Sequence, residues 1–343
     1  MAANQVLFGQ LPHLQDNTDD FEEKLAQVNK SLNDSVISDD GYHPKHYEYG
    51  CASLNFLGDQ TGLKNRELRK FLLGGIYQKL KSSIILCQEC PWKNPTRELN
   101  LPDTYNYIGD PETKSGILWD EDDFEIQHLR SDVEIDKLDL ADKFPNLMNY
   151  RTRATICKVI LREKLEVEGC DNVLKTFIAI SWHGPKNKLQ DITKTLIFKE
   201  LLEFCKNHLQ RKYSGLPIIL GGDFNYAFNK AEKIISTNYN GWVLPSLSNL
   251  SDSKSFSSID YFLYLAPFSK CNNTEDIINP SDINFQLLTN VERLSLKFDA
   301  ESLFDREDKE IARTKRCQKA PEKVIDHNPI IATLHLKEDR NYQ

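Results

Sequence analysis

Short apolar runs, bordered by glycine, proline or polar residues, recur along the chain from Tyr49 onward. Each run is four to eight residues long, and most are rich in β-branched side chains, which is typical of buried strands. They predict eight strands, at Cys51–Asn55, Ile84–Glu89, Gly116–Trp119, Ala154–Leu161, Thr176–His183, Pro217–Asp223, Ile259–Tyr264 and Pro329–Leu334.

Two longer stretches between these runs have apolar residues at helical spacing. The first helix is predicted over 63–80, with one stripe formed by Leu68, Phe71, Leu72, Ile76 and Leu80. The second is predicted over 189–209, with an inward side formed by Leu189, Ile192, Leu196, Leu201, Phe204 and Cys205. Long helices beside buried strands indicate a layered α/β or α+β domain in which helices cover the sheets.

The chain divides into an N-terminal extension, residues 1–45, and one domain, residues 46–343. A single helix is predicted in the extension from the near-helical spacing of Phe21, Leu25, Val28 and Leu32. Within the domain, a segment at about 265–323 has weak apolar patterning and is interpreted as a charged insertion. Its late bases form either a solvated surface or an arm that contacts phosphate: Arg313, Lys315, Arg316, Lys319 and Lys323.

Composition narrows the class of protein. Hydrophobic residues at 40% and aromatic residues at 10% suffice for a large core, which excludes a disordered chain. No apolar run approaches the ~20 residues that span a bilayer, and the first residues lack the features of a secretory signal. We therefore expect an intracellular protein of the cytoplasm or nucleus, with reduced cysteines. The net charge of −8 excludes a globally basic surface but allows a local basic groove.

Polar side chains stand at the ends of the predicted strands. Apolar runs are closed by Asn55, Glu89, His183, Asp223 and Asn225, and are opened by Asp260 and Asp326–His327. A buried carboxylate is costly without a partner, and antiparallel pairing brings the end of one strand beside the start of its neighbour. We therefore expect these groups to converge on one sheet edge. Carboxylates, carboxamides and imidazoles together are suited to holding Mg²⁺ and activating water against a phosphate.

With these motifs the chain resembles the endonuclease/exonuclease/phosphatase superfamily, the group of pancreatic deoxyribonuclease and the apurinic/apyrimidinic endonucleases. The resemblance covers about Tyr49 to Leu336 and rests, in the family order, on Leu54–Asn55, Gln88–Glu89, Gly116–Asp120, Trp182–His183, Gly221–Asn225, Ser258–Phe262 and Asp326–Ile330. It implies a four-layered α/β/β/α sandwich, in which two packed mixed sheets are flanked by helices and the site lies at one sheet edge.

The resemblance also implies metal ligands. Glu89 would be the principal ligand of Mg²⁺, for which Mn²⁺ is a possible substitute. Asn55 would assist Glu89 and also orient the phosphate, and Asp326 would serve a second metal position.

Further roles concern the water and the substrate. The resemblance assigns positioning or deprotonation of the attacking water to Asp223. It assigns charge stabilisation on the phosphate to His327, whose tautomer Asp260 would fix. Asn225 would bind a phosphate oxygen, and so would either Arg151 or Arg153. His183 matches a histidine of the deoxyribonuclease branch, and the Gly184–Pro185 turn after it is unusual for the family.

The function implied is Mg²⁺-dependent hydrolysis of phosphoester bonds, and the first hypothesis is a monomeric nuclease or nucleic-acid phosphodiesterase. Lys186 and Lys188 would help a groove to follow a nucleic-acid backbone. The alternative is a phosphatase or phosphodiesterase of inositol phosphates or phospholipids, because Asp223–Tyr226 echoes the inositol-phosphatase pattern. A third hypothesis, a catalytically idle binding protein on the same fold, is disfavoured because all the catalytic groups are retained.

Overall fold

A computed structural model describes residues 48–56, 82–110, 114–129, 137–162, 175–186, 189–248, 258–267, 287–293, 327 and 329–336. Within these ranges the strands, numbered in chain order, are β1 (Glu48–Asn55), β2 (Ile84–Gln88), β3 (Tyr105–Asp110), β4 (Ser115–Asp120), β5 (Phe124–His128), β6 (Ala154–Leu161), β7 (Thr176–His183), β8 (Ile218–Asp223), β9 (Trp242–Val243), β10 (Asp260–Leu265), β11 (Leu288–Arg293) and β12 (Ile330–His335). All eight strands predicted from the sequence are confirmed, as β1, β2, β4, β6, β7, β8, β10 and β12.

The described strands form two six-stranded sheets. The first sheet has the order β11-β12-β1-β2-β4-β3, and the second has the order β5-β6-β7-β8-β10-β9. Each sheet is mixed, because β1 and β2 run parallel in the first and β7 and β8 run parallel in the second, while their other pairs are antiparallel. The four strands that the sequence did not predict, β3, β5, β9 and β11, are the edge strands of these sheets.

In the part of the chain that the structure describes, the helices are α1 (Pro95–Glu98), α2 (Lys137–Lys143), α3 (Pro145–Met148), α4 (Asp191–Glu203) and α5 (Phe228–Asn238). A 3₁₀ turn (Arg151–Arg153) and a π-helix (Phe204–Gln210) that continues α4 are also present. The helix predicted over 189–209 is thus confirmed, but two of its predicted inward residues are wrong. Ile192 is 71% exposed and Leu196 is 44% exposed. The buried stripe of α4 is Lys194, Ile197, Phe198, Leu201 and Leu202.

The helical stripe was misassigned because α4 carries apolar residues on more than one side. Ile197 and Leu201 are four residues apart and pack on the second sheet, and the same spacing relates Ile192 to Leu196 on the opposite side. Periodicity alone does not distinguish these two stripes.

Two apolar layers hold the sheets in place. One lies between the sheets and includes Leu86, Ile117, Val159, Phe177 and Phe262. The other lies between the second sheet and the helices and includes Ile178, Leu220, Phe198, Leu201 and Leu147. The two packed mixed sheets with flanking helices confirm the predicted α/β sandwich.

Several sequence predictions lie outside the described residues. They are the helix of the extension over 1–45, the helix over 63–80, and most of the segment 265–323, in which the structure describes β11. Among the helices that the structure does describe, none has the length and hydrophobicity needed to cross a bilayer.

Candidate active site at the strand ends

Strand register brings the polar residues of the two sheets to one end of the sandwich. Because β7 and β8 are parallel, His183 and Asp223 are register partners at their carboxyl ends. Asp260, at the start of antiparallel β10, lies opposite Asp223 on the other side of β8. In the facing sheet, Asn55 ends β1 beside Gln88 of parallel β2, and Glu89 follows directly. The two sheets are linked here by a hydrogen bond from Asn55 Nδ2 to Asp223 Oδ2 of 3.2 Å.

Asp223 is the central carboxylate of this group. Its side chain is buried, and its Oδ1 accepts a 2.9 Å hydrogen bond from the backbone N–H of Asn225. Burial, together with the nearby charge of Asp260, raises the pKa of Asp223 to about 7. Asn225 has a φ of 49°, a left-handed conformation that asparagine tolerates better than most residues. This turn aims the Asn225 N–H back at Asp223.

Gly222 permits the close approach of β7 and β8 beside Asp223. Its φ is 152°, and a Cβ atom there would lie 1.9 Å from the carbonyl oxygen of Trp182. Any other residue would therefore push the two parallel strands apart, and with them His183 and Asp223.

Glu89 and His183 form the second part of the site. Glu89 is 6% exposed and adopts a left-handed backbone conformation with φ 52°. His183 is fully buried, and its Nε2 lies 3.3 Å from Glu89 Oε1 and 3.9 Å from Asp223 Oδ2. Burial, aided by the charges of Arg153 and Lys186, lowers the pKa of His183 to about 2, so this ring is neutral. The ammonium of Lys186 forms an ion pair with Glu89 Oε1.

Asp260 and His327 form a dyad on the other side of Asp223. His327 Nδ1 lies 2.8 Å from Asp260 Oδ2 and 2.9 Å from Oδ1. Two carboxylate oxygens face Nδ1, an arrangement that suits the tautomer with its proton on Nδ1. Within the described ranges, Asp223, Asp260 and His327 also form a group whose potential ligand atoms lie within 4.8 Å of one another.

The sequence left undecided whether Arg151 or Arg153 lies at the site, and in the structure the two side chains have different surroundings. Arg153 is half-buried, and its Nη1 donates to the carbonyl oxygens of His183, at 3.2 Å, and of Gly184. Burial lowers the pKa of Arg153, and the negative charges of Glu89 and Asp223 oppose that shift. The Arg153 guanidinium is therefore close enough to both carboxylates to interact with them. Arg151 is exposed and donates to the carbonyl oxygen of Met148 at 3.0 Å. Asp326, the predicted second metal ligand, lies outside the described residues.

A buried polar layer supports Glu89 from below. Gln88 Nε2 donates to Ser181 Oγ of the facing sheet at 3.1 Å, and Gln88 Oε1 accepts from Ser53 Oγ at 3.3 Å. Ser181 Oγ in turn donates to the carbonyl oxygen of Cys87 at 2.8 Å. These contacts fix the end of β2, from which Glu89 projects.

Three residues of the site were not assigned to it from the sequence. Lys194 is buried on α4 and donates to the carbonyl oxygen of Asn225 at 3.0 Å. Arg293, from β11, forms an ion pair with Asp260 at 3.9 Å and donates to Ser258 Oγ. Lys186 was expected in a nucleic-acid groove rather than on Glu89. The sequence offers one indication that Lys194 is buried, which is its place on the apolar stripe of a helix. No local sequence pattern indicates that Arg293 reaches the site.

No protein-family model and no curated protein matches the sequence. Solved structures do match. A crystal structure of D. rerio TDP2 humanized by 14 mutations has a TM-score of 0.50 and 12% identity, and the match covers 84% of this chain and 99% of that one. An endonuclease/exonuclease/phosphatase family protein from Bacteroides thetaiotaomicron has a TM-score of 0.50 and 16% identity, covering 84% of this chain and 98% of that one.

The chain has the endonuclease/exonuclease/phosphatase fold. At these identities the likeness shows the fold and not the reaction. The fold that the sequence motifs implied is thereby confirmed, with the strand ends described above at one end of its two sheets.

Proposed function

We propose that the protein is a Mg²⁺-dependent hydrolase of phosphoester bonds. The observation that carries this proposal is the position of Asp223, a buried carboxylate with its pKa raised to about 7. It lies between Asn55 and the Glu89–His183 pair on one side and the Asp260–His327 dyad on the other. A base with a pKa near the working pH is suited to accept a proton from water.

The residues present fit a hard divalent cation. Glu89 Oε1 is buried. Apart from its contacts with Lys186 and His183, it accepts no hydrogen bond of regular geometry from the described residues. Carboxylate and carboxamide oxygens are the donors that Mg²⁺ and Mn²⁺ prefer, so Glu89 would hold the ion with help from Asn55, and Asp326 would add a second position. Bound there, the cation would polarise a phosphoryl oxygen and offset its developing charge.

The group Asp223, Asp260 and His327 is a less suitable primary metal site. Both oxygens of Asp260 lie within hydrogen-bonding distance of His327 Nδ1. A cation held by all three residues would compete with that contact. We therefore assign these residues to proton transfer and charge stabilisation rather than to the first metal position.

The chain's own groups then have separate tasks. Asp223 orients the attacking water and takes its proton. His327, held by Asp260 through Nδ1, donates from Nε2 to the phosphate as negative charge builds up there. Neutral His183 helps to order the same pocket, and Asn225 and Arg153 bind phosphate oxygens.

The substrate we propose is a nucleic acid. Arg153, Lys186 and Arg293 supply positive charge around the site in a chain whose net charge is −8, and such local cations suit a phosphodiester backbone. The position of Tyr226 argues against the inositol-phosphatase alternative, which rested on the sequence Asp223–Tyr226. That ring is 5% exposed and stacks on Phe198 at 5.1 Å, and its hydroxyl lies 3.1 Å from Thr195 Oγ1, which makes it a core residue.

A substrate panel tests the proposal. Duplex and single-stranded DNA, RNA, abasic duplex, inositol phosphates and sphingomyelin are incubated with the full chain in Mg²⁺ or in EDTA. We expect Mg²⁺-dependent cleavage of a nucleic acid that Asp223→Asn abolishes. Asp142→Asn, the same change on the exposed face of α2, should retain full activity. Hydrolysis of inositol phosphates or lipid alone would move the substrate assignment, and no hydrolysis of any member would contradict the enzyme proposal.

A further inference from the structure

Lys186 occupies an unusual place beside Glu89. Its ammonium contacts Glu89 Oε1, and its side chain is 48% exposed whereas that of Glu89 is 6% exposed. Among the described residues, the basic nitrogens within 4.0 Å of the Glu89 carboxylate belong to Lys186 and His183. The Lys186 ammonium lies nearer to Glu89 Oε1 than His183 Nε2 does, and it is the lysine in direct contact with this buried carboxylate.

The backbone that carries Lys186 is held firmly by its surroundings. The N–H of Gly184 donates to the carbonyl oxygen of Asp223 at 2.6 Å, and the Gly184 carbonyl accepts from Asn225 Nδ2 at 3.2 Å and from Arg153. A Cβ atom on Gly184 would lie 2.0 Å from the carbonyl oxygen of Phe224. The turn after β7 is therefore packed directly against the turn after β8, which sets the starting point of the Lys186 side chain over Glu89.

Arg153, the other nearby cation, is less able to take this place. Its Nη1 is engaged by two backbone carbonyl oxygens, and the guanidinium is half-buried. Lys186, by contrast, has a flexible stem, and its side chain is about half exposed. A long lysine side chain can leave such a contact without any change in the backbone.

We propose that Lys186 is a displaceable counter-ion of Glu89, which neutralises the carboxylate before the divalent cation binds and must leave it when the cation arrives. This inference rests on the proposed function, since it takes Glu89 as the metal ligand. An ammonium and a divalent cation cannot share one carboxylate oxygen without strong repulsion. Lys186 therefore pairs with the buried carboxylate of Glu89, and at the same time weakens the affinity of that carboxylate for metal.

The test is the affinity for Mn²⁺, measured by titration calorimetry on the full chain without substrate. Lys186→Met and Lys186→Gln both remove the competing charge and should bind Mn²⁺ about threefold to tenfold more tightly than the wild type. Lys175→Met is the matched control, because Lys175 is exposed at the opposite end of β7 from His183. It changes the net charge equally and should leave the affinity unchanged. Glu89→Gln should abolish the titrated site.

The outcomes separate this inference from the proposed function. The counter-ion role of Lys186 is supported if both Lys186 variants bind Mn²⁺ more tightly than the wild type and Lys175→Met does not. It is also supported if the Lys186 variants bind Mn²⁺ and the wild type does not. Unchanged or weaker binding by the Lys186 variants, with a wild-type site that depends on Glu89, overturns the counter-ion and leaves the hydrolase proposal intact. An equal gain in Lys175→Met also overturns it. Absence of binding by every protein overturns both.

Discussion

At the scale of single residues, the site contains an acid that is disfavoured by its own surroundings. Asp223 is buried beside Asp260, and its pKa is raised to about 7 from the ordinary 3.8. Between these two pH values the folded protein keeps a proton on Asp223 that the unfolded chain releases. The free energy of unfolding therefore falls as the pH rises through this window. Such a destabilising but reactive group is typical of catalytic sites.

Replacing Asp223 by asparagine should thus stabilise the protein at alkaline pH. Without divalent cations, we expect Asp223→Asn to raise the free energy of unfolding by about 1–3 kcal/mol at pH 8, because the buried negative charge is gone. The gain should disappear towards pH 4, where Asp223 of the wild type is protonated. Urea unfolding in EDTA at several pH values measures this difference. A gain that is the same at pH 4 and pH 8 would show that the pKa is not raised.

The two arginines of the 3₁₀ turn provide a matched pair. Arg153→Gln should lower kcat/KM about tenfold to a hundredfold, because it removes a charged donor beside Glu89 and Asp223. Arg151→Gln removes the same charge two residues away on an exposed side chain and should change kcat/KM less than about twofold. Steady-state kinetics on the substrate found in the panel measure both. Equal losses in the two variants would show that only the general charge of this turn matters.

The identity of the motif residues could be predicted at this scale, but not their contacts. Short sequence motifs were enough to identify the residues that end or open strands and match the family pattern, namely Asn55, Glu89, Asp223 and His327. Lys186 and Arg293 reach the site through the packing of turns and of an edge strand. Those approaches depend on tertiary distances that no spacing along the chain encodes.

At the scale of elements, burial decides which strands the sequence reveals. The strands inside each sheet are covered on both sides and therefore read as continuous apolar runs, such as Ile84–Gln88 with every residue buried. The edge strand Phe124–His128 has a single fully buried residue, Phe124, and reads as mixed. All four missed strands occupy such edges, where a neighbour on one side only leaves polar residues in place.

Helix α4 offers a direct test of the corrected stripe. Ile197→Ala should lower the free energy of unfolding by about 2–4 kcal/mol, because the side chain is buried against the second sheet. Ile192→Ala makes the same truncation on a residue that is 71% exposed, and its effect should stay within about 0.5 kcal/mol. Chemical denaturation of both variants measures the difference. A large loss in Ile192→Ala would mean that this face of α4 is covered in the full chain.

At the scale of the whole molecule, the site exists only when both sheets are assembled. Its described residues extend from Asn55 to His327. They come from strands of both sheets, from the 3₁₀ turn and from helix α4. The contact of Asn55 with Asp223 and the layer of Gln88, Ser53 and Ser181 join the two sheets at this end. The fold could be predicted because its core strands and family motifs are explicit in the sequence, whereas the electrostatic balance of the site required the packed sheets.

The position of a bound cation decides whether Glu89 is the metal ligand. Crystals of the full chain soaked in Mn²⁺ would give an anomalous difference map that locates the ion without reference to any substrate. We expect a peak about 2.0–2.3 Å from a carboxylate oxygen of Glu89, with the Lys186 ammonium moved off that oxygen. An ion held instead by Asp223, Asp260 and His327, with none at Glu89, would contradict the assignment of metal and base.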